Sequence, residues 1–276
     1  MASLLLFGPG YVGKRLAARL AGDGWQVVAI NRDLGEDAVL PALSAATHIL
    51  STVPPGDEGD PILARYGPLI ATAPARWIGY LSSTGVYGDT GGAWVDESAP
   101  IGAGRRTARA QADLAWQQLR SDASIFRLPG IYGPGRSPLE RIAAGTAHRI
   151  DLPRQVFSRI HVDDILSGVI AGMAGPPGVY NLADDFPASQ NDVIDYGCAL
   201  IGRPSPPLQT LDEARLSPAA RGFYAENRRV ANGKAKRLLG WKPAFPDYRA
   251  GLRALSATTS PESVSTQPAI DSQDQT

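Results

Sequence analysis

The sequence holds one cysteine, two methionines and three histidines in 276 residues. A single thiol, Cys198, excludes an internal disulfide framework and is compatible with a reducing compartment. It sits in the apolar helical run Asp195-Tyr196-Gly197-Cys198-Ala199-Leu200, where a small core side chain is expected and no neighbouring base would activate a nucleophile. His48, His148 and His161 are scattered and no Cys/His pair has ligand spacing, so no metal site is expected. No apolar run reaches the roughly 20 residues that a bilayer-crossing helix needs, and the N-terminus lacks a basic segment followed by a cleavage site. A soluble, cytoplasmic protein is expected. Charge of one sign is also lacking: 27 Lys and Arg balance 27 Asp and Glu, which removes any global attraction to nucleic acid or to an anionic membrane.

Glycine is plentiful, and its first cluster organises the chain. Ser3-Leu4-Leu5-Leu6-Phe7 is an apolar run of strand length, Gly8, Gly10 and Gly13 form G-x-G-x-x-G, and Val12, Leu16 and Leu20 recur at every fourth position. A strand before the glycines and an amphipathic helix after them are the context that makes this motif a nucleotide site. The first glycine allows a tight turn, the second lets a pyrophosphate approach the backbone, and the third lets helix and strand pack closely. The helix then offers its free N–H groups and positive dipole end to phosphate. Gly8, Gly10, Tyr11, Val12 and Gly13 are therefore cofactor-binding candidates. The same residues nearly spell G-x-x-x-x-G-K, the phosphate loop of nucleoside triphosphatases. Arg15 stands where Ser or Thr must hold magnesium, and arginine cannot ligate a metal.

Further apolar runs deliver polar residues to what would be one sheet edge. Trp25 to Ile30 reads as a second strand ending at Asn31-Arg32-Asp33. An acid at that place suits the free 2′-hydroxyl of NAD, and an arginine accommodates the 2′-phosphate of NADP. Asn31 with Arg32 points to NADP, while Asp33 keeps NAD open. Thr47 to Val53 is a strand running into a Pro/Gly loop at Pro54, and Arg76 to Ser82 delivers Ser82, Ser83 and Thr84. Such hydroxyls bond a substrate oxygen or satisfy loop backbone groups. Ser124 to Leu128 is a fifth strand, followed by a turn-rich segment.

Arg105, Arg106 and Arg109 crowd the start of a helix from Thr107, where positive charge opposes the macrodipole. They serve an anionic ligand or a solvated face. Arg136, Arg141, Arg149, Arg154 and Arg159 form a basic segment suited to a phosphorylated or carboxylated substrate. His161 reads as a structural hydrogen-bonding group before a helix with Asp163 and Asp164 at its start. Ser189 to Asp192 resembles a capping box, a helix from Asn232 stops at Gly240, and residues 256–276 carry scarcely any apolar side chains, which predicts a disordered tail.

Four stretches carry a resemblance: Gly8 to Gly13; Ser82-Ser83-Thr84-Gly85-Val86-Tyr87-Gly88-Asp89; Arg127-Leu128-Pro129-Gly130-Ile131-Tyr132-Gly133-Pro134; and Arg159-Ile160-His161-Val162-Asp163-Asp164. In this order and spacing, up to about Leu255, the chain resembles the extended branch of the short-chain dehydrogenase/reductase superfamily, the NAD(P)-dependent epimerase/dehydratase-like proteins. The resemblance implies an α/β fold, a doubly wound parallel (Rossmann) sheet over about residues 1–132 and 156–183. A small substrate cap would come from about 133–155 and 184–255. It also implies cofactor contacts from Val53, Pro54, Ser82, Leu128, Gly130 and Ile131, and a catalytic Ser or Thr paired with Tyr-x-x-x-Lys. The serine maps onto Ser83, with Thr84 adjacent.

The second half of that pair is missing. Arg105 falls at the tyrosine position and Arg109 at the lysine position. Arginine titrates too high to exchange protons near neutral pH, although Arg109 can still hold a ribose. Tyr87 and Tyr132 are the tyrosines that other strand ends offer. The glycine motif is also shorter than the G-x-x-G-x-x-G common in the branch, so the chain resembles its atypical members. The expected function is an NADP- or NAD-dependent oxidoreductase, or an epimerase or dehydratase, acting on a small anionic substrate. A non-catalytic NAD(P)-binding redox sensor or regulator is the alternative.

Overall fold

The structure, a computed structural model, describes residues 1–31, 36–102, 104 and 107–259. Strands and helices alternate along the chain as β1 (Ser3–Phe7), α1 (Tyr11–Gly22), β2 (Gln26–Ile30), α2 (Glu36–Ala45), β3 (His48–Ser51), α3 (Pro61–Ala71) and β4 (Trp77–Ser83). They continue as α4 (Thr107–Leu119), β5 (Ala123–Leu128), α5 (Val162–Ala174) and β6 (Gly178–Asn181). The six strands form one parallel sheet in the order β2-β1-β3-β4-β5-β6. The chain leaves β1 toward β2 and then returns to build β3 on its other side, so the direction of winding reverses between β1 and β3. Ligands of open α/β sheets lie at such a reversal, outside the carboxyl ends of the strands.

The apolar run of β1 explains its central place. Leu4 and Leu6 pack on one face of the sheet with Leu16 and Leu20 of α1 and Ile165 and Val169 of α5. Leu5 and Phe7 pack on the other with Ile70 of α3 and Trp116 of α4. A strand covered on both faces is apolar at every position, because successive side chains point to opposite faces. Asp60 caps α3 by accepting the N–H groups of Ile62 and Leu63 at 2.8 and 3.0 Å. Pro68 is accommodated inside that helix, at the loss of one backbone hydrogen bond.

Helices Pro138–Ala143, Gln190–Leu200 and Tyr248–Thr259 share a separate apolar cluster, with Leu139, Ile142, Val193, Ile194, Cys198, Leu252 and Leu255 at its centre. Cys198 is a buried core side chain. Helix Tyr248–Thr259 runs into the stretch from 256 that was expected to be disordered, because buried Leu252 and Leu255 anchor it and the last turn propagates from them. Helix Gly233–Leu239 packs differently, seating Ala235 and Trp241 in the cluster that holds α1 and α5. No helix among the described residues is long and apolar enough to cross a membrane.

Asp184 follows β6 and is 2% exposed. Burial pushes its carboxyl up to about 8, outweighing the buried cation of Arg159 nearby. In the unfolded chain a carboxyl of this kind ionises near 4. Between those values the folded protein holds one proton more than the unfolded chain, so this group makes stability fall as pH rises from about 4 to 8. Asp184→Asn is expected to flatten that slope in urea titrations run at pH 5 and pH 8. An unchanged slope would mean that the buried carboxyl is ionised throughout.

Candidate functional site

The carboxyl ends of five strands come together at one edge. Phe7 pairs with Ile30 and with Ser51, and Ser83 pairs with Leu128, so the Gly8 loop, Asn31, Thr52-Val53-Pro54, Ser83 and Leu128-Gly130-Ile131 lie along a single rim. The glycines show why each is required. Gly8 has φ +81°, a left-handed conformation, and a Cβ there would stand 2.7 Å from Val53 Cγ2. A Cβ on Gly13 would stand 2.8 Å from the Gly8 carbonyl oxygen. Gly10 is the opposite case, since the nearest atom to its Cβ position is 3.9 Å away and the residue faces solvent.

Gly10 is the N-cap of α1, and no side chain caps that helix. Its first-turn N–H groups, on Tyr11, Val12 and Gly13, have no intrahelical partner. Free donors, a positive dipole end and space in front of Gly10 make a cradle that fits a pyrophosphate. The loop is held by Gly8 N–H donating to Ile30 O at 2.9 Å and Thr52 N–H donating to Phe7 O at 2.9 Å. Asn31 stands exposed one residue beyond Ile30. Arg32 and Asp33, on which the choice of cofactor turned, lie outside the described residues. Arg15 stacks on the Tyr11 ring at 4.0 Å, and both side chains donate to the Pro134 carbonyl, at 2.9 and 3.0 Å. The arginine in the magnesium-ligand position of a triphosphatase loop thus ties the 133–136 turn to α1. No group of three or more His, Cys, Asp or Glu among the described residues could hold a metal.

The three adjacent hydroxyls diverge. Ser82 is buried, and its hydroxyl donates to Asp113 Oδ2 at 2.6 Å, so only its main chain remains for a ligand. Thr84 is buried at the start of a short 3-10 turn, Thr84–Tyr87. Ser83 is partly exposed, and its Oγ accepts the Gly85 N–H at 3.1 Å. An oxygen that accepts that bond keeps its own proton to donate outward.

Beneath this rim is a buried network that the sequence reading did not single out. Arg127 donates to Asp113 through Nε at 3.0 Å and Nη2 at 2.7 Å, and through Nη1 to the Tyr87 hydroxyl at 3.0 Å. The Tyr87 hydroxyl donates in turn to Asn181 Oδ1 at 2.8 Å. Burial is the main reason that the Tyr87 hydroxyl titrates above its ordinary range, and with both hydrogen-bonding roles engaged it is a structural group rather than an acid. A signal was available in the sequence: Arg127 interrupts an apolar strand, and a charge there must find a partner.

Tyr132 also turns away from the rim. A Cβ on Gly251 would stand 2.0 Å from its hydroxyl, which has no hydrogen-bond partner among the described residues, and burial holds that hydroxyl protonated. Arg109 lies half-buried in the first turn of α4, where its charge acts on the buried Tyr80 hydroxyl. Arg105 and Arg106 lie outside the described residues. The basic segment does not gather into one patch. Arg159 is buried and donates to the Phe157 and Ala188 carbonyls at 2.8 Å each, Arg149 pairs with Asp195 at 3.1 Å, and Arg136, Arg141 and Arg154 are exposed. His161 caps α5, its Nδ1 accepting the Asp163 N–H at 3.3 Å.

No protein-family model matches the chain. Among curated proteins, a 3-diazoavenalumate denitrifying reductase from a Streptomyces species is 31% identical over 163 residues, 53% of this chain. The match spans about half of that reductase, 52% of its length. Protein YeeZ of Escherichia coli K12 is 27% identical over 90% of this chain and 97% of its own. Among solved structures, human epimerase family protein SDR39U1, determined with NADPH, superposes with TM-score 0.76 at 18% identity over 92% of this chain and 99% of that one. A Bacillus cereus UDP-glucuronic acid 4-epimerase, determined with UDP-glucuronic acid and NAD, superposes with TM-score 0.72 at 16% identity over 92% and 98%. At these identities the likeness shows a shared Rossmann fold. A functionally unknown conserved protein from Silicibacter pomeroyi superposes with TM-score 0.85 at 43% identity, over 95% of this chain and all of that one. The doubly wound sheet is therefore the one found in NAD- and NADPH-binding epimerase-family proteins, and the chain belongs to the family of the conserved Silicibacter pomeroyi protein.

Proposed function

We propose that the protein is an NAD(P)-dependent oxidoreductase, or an epimerase or dehydratase using its cofactor transiently, acting on a small anionic substrate in the cytoplasm. One observation carries this reading: Ser83, with a hydroxyl proton free to donate, stands on the same sheet edge as the uncapped glycine loop. Gly8, Gly10, Tyr11, Val12 and Gly13 would hold the pyrophosphate. Asn31 and Arg32 would meet the adenosine ribose, in favour of NADP, and Val53, Pro54, Leu128, Gly130 and Ile131 would line the remainder. A bound nicotinamide supplies hydride transfer. Ser83 would orient the substrate oxygen, and the helices Pro138–Ala143, Gln190–Leu200 and Tyr248–Thr259 would form the substrate cap.

The hydrogen bonds that occupy Tyr87 and the burial of Tyr132 favour a second reading, a non-catalytic NAD(P)-binding sensor. Calorimetry with NADPH and NADP+, followed by NADPH oxidation across a broad panel of carbonyl compounds, separates the two. Turnover that falls at least tenfold in Ser83→Ala is the expected result for the enzyme. Binding without any turnover sinks the reductase reading, and equal affinity for the two cofactor forms would deprive a sensor of its signal.

A further inference from the structure

One cation outside the four family-like stretches reaches the turn after Ser83. The segment around Asn227 folds back onto the turn that follows Ser83. Asn227 O accepts the N–H groups of Thr90 and Gly92 at 3.0 and 2.9 Å, and Asn227 N–H donates to Asp89 Oδ1 at 2.8 Å. A short parallel pairing of Arg229–Val230 with Trp94–Val95 extends the attachment. Arg228 is thereby held across the turn. Its Nη1 donates to Gly88 O at 2.7 Å and to Glu226 Oε2 at 2.8 Å. Its other terminal nitrogen lies near Gly85, as Ser83 does: a methyl group placed on Gly85 would stand 3.3 Å from Ser83 Oγ and 4.0 Å from Arg228 Nη2. Both atoms border the same side of Gly85.

The pairing defines a ligand chemistry. The Ser83 hydroxyl offers one proton, and the outer nitrogen of Arg228 offers N–H donors and positive charge. With hydrogen bonds of about 2.8 Å at each end, one small molecule can meet both if an oxygen at its reacting carbon is next to an anionic group. The Glu226 carboxylate meets Arg228 at Nη1 and fixes the guanidinium by that edge. The Arg228 side chain is 17% exposed, and a half-buried cation binds an anion more strongly than a solvated one. Resting on the dinucleotide-site reading above, we propose that Arg228 and Ser83 are the two ends of a subsite for a 2-oxo or 2-hydroxy acid, Arg228 receiving the carboxylate and Ser83 the neighbouring oxygen.

The test is calorimetric titration of oxamate and of phenylpyruvate into protein loaded with NADP+, or with NAD+ if that binds better, since the oxidised cofactor has no hydride to give and binding alone is read. Both probes are expected to bind, and Arg228→Gln to weaken them at least tenfold while the cofactor affinity stays unchanged. Ser83→Ala should weaken them less, and Arg228→Lys should restore part of the loss. Because Arg228→Gln strips Glu226 of a partner, Glu226→Gln/Arg228→Gln is measured alongside it. Cofactor binding with no binding of either probe, or probes held equally by both Arg228 variants and the wild type, overturns the subsite. Failure of both cofactors to bind would instead overturn the reading on which it rests.

Discussion

Arg127→Leu is expected to cost the fold about 3–5 kcal/mol, the range for breaking a buried ion pair by removing one partner. The reason lies in what remains. Asp113 has a side chain with no exposure at all, and without Arg127 its carboxylate keeps only the bonds from Ser82 and Gln117, at 2.6 Å each. Those hydroxyl and amide dipoles do not neutralise a charge in a low-dielectric interior. Tyr87 would lose a donor in the same step. In a domain of this size each kcal/mol moves Tm by roughly 2–4 °C, so a fall of about 10 °C is expected by scanning calorimetry. Arg127→Leu/Asp113→Leu, which removes both charges, should recover much of that loss. The exposed Arg19–Asp23 pair is the internal comparison, since removing it should cost about 0–1 kcal/mol. An equally small effect at Arg127 would mean that the network is dispensable and that Tyr87 is freer than its bonds indicate.

Gly10→Val is expected to separate binding from folding. Gly10 has φ −80° and ψ −155°, a negative φ at the margin of the extended region and not the left-handed conformation that favours glycine, and its Cβ would meet no atom nearer than 3.9 Å. Stability should change by no more than about 1 kcal/mol, the preference of glycine over an aliphatic residue at an N-cap. Affinity for NADPH should nonetheless fall at least tenfold, about 1.4 kcal/mol, because the new side chain occupies the space in front of the first-turn N–H groups. Gly13→Ala should behave differently. Its Cβ would press on the Gly8 carbonyl at 2.8 Å, so thermal stability and binding should fall together. If Gly10→Val binds NADPH as the wild type does, the pyrophosphate does not lie at α1.

These two experiments mark two kinds of legibility. The glycine loop was readable because its demands are local: a left-handed φ at Gly8 and a Cβ-free approach at Gly13 follow from which residues stand within six positions of each other. Ser83 was readable through a family stretch, but its separation from Ser82 was not. Nothing in two consecutive serines says that one hydroxyl turns into an ion pair and the other stays at the rim. Arg127 carried a partial signal as a charge in an apolar strand. Arg228 carried none, since two arginines in a polar segment are ordinary until Asn227 pins them beside the Ser83 turn.

By itself, then, the sequence determined the alternation of strands and helices and the place of the glycine loop between the first strand and helix, because periodicity and turn chemistry act over a few neighbouring residues, while the doubly wound sheet was what the family resemblance implied. It also pointed to the loss of the Tyr-x-x-x-Lys pair, and it offered Tyr87 and Tyr132 as substitutes. Only the tertiary structure decided that Tyr87 is tied into a buried network and Tyr132 is buried, that the basic segment disperses, and that Arg228 lies against the turn after Ser83. Those outcomes depend on which buried charges and hydroxyls find partners across long sequence separations. Desolvation sets that pairing, and the chain can satisfy it only once the sheet has assembled.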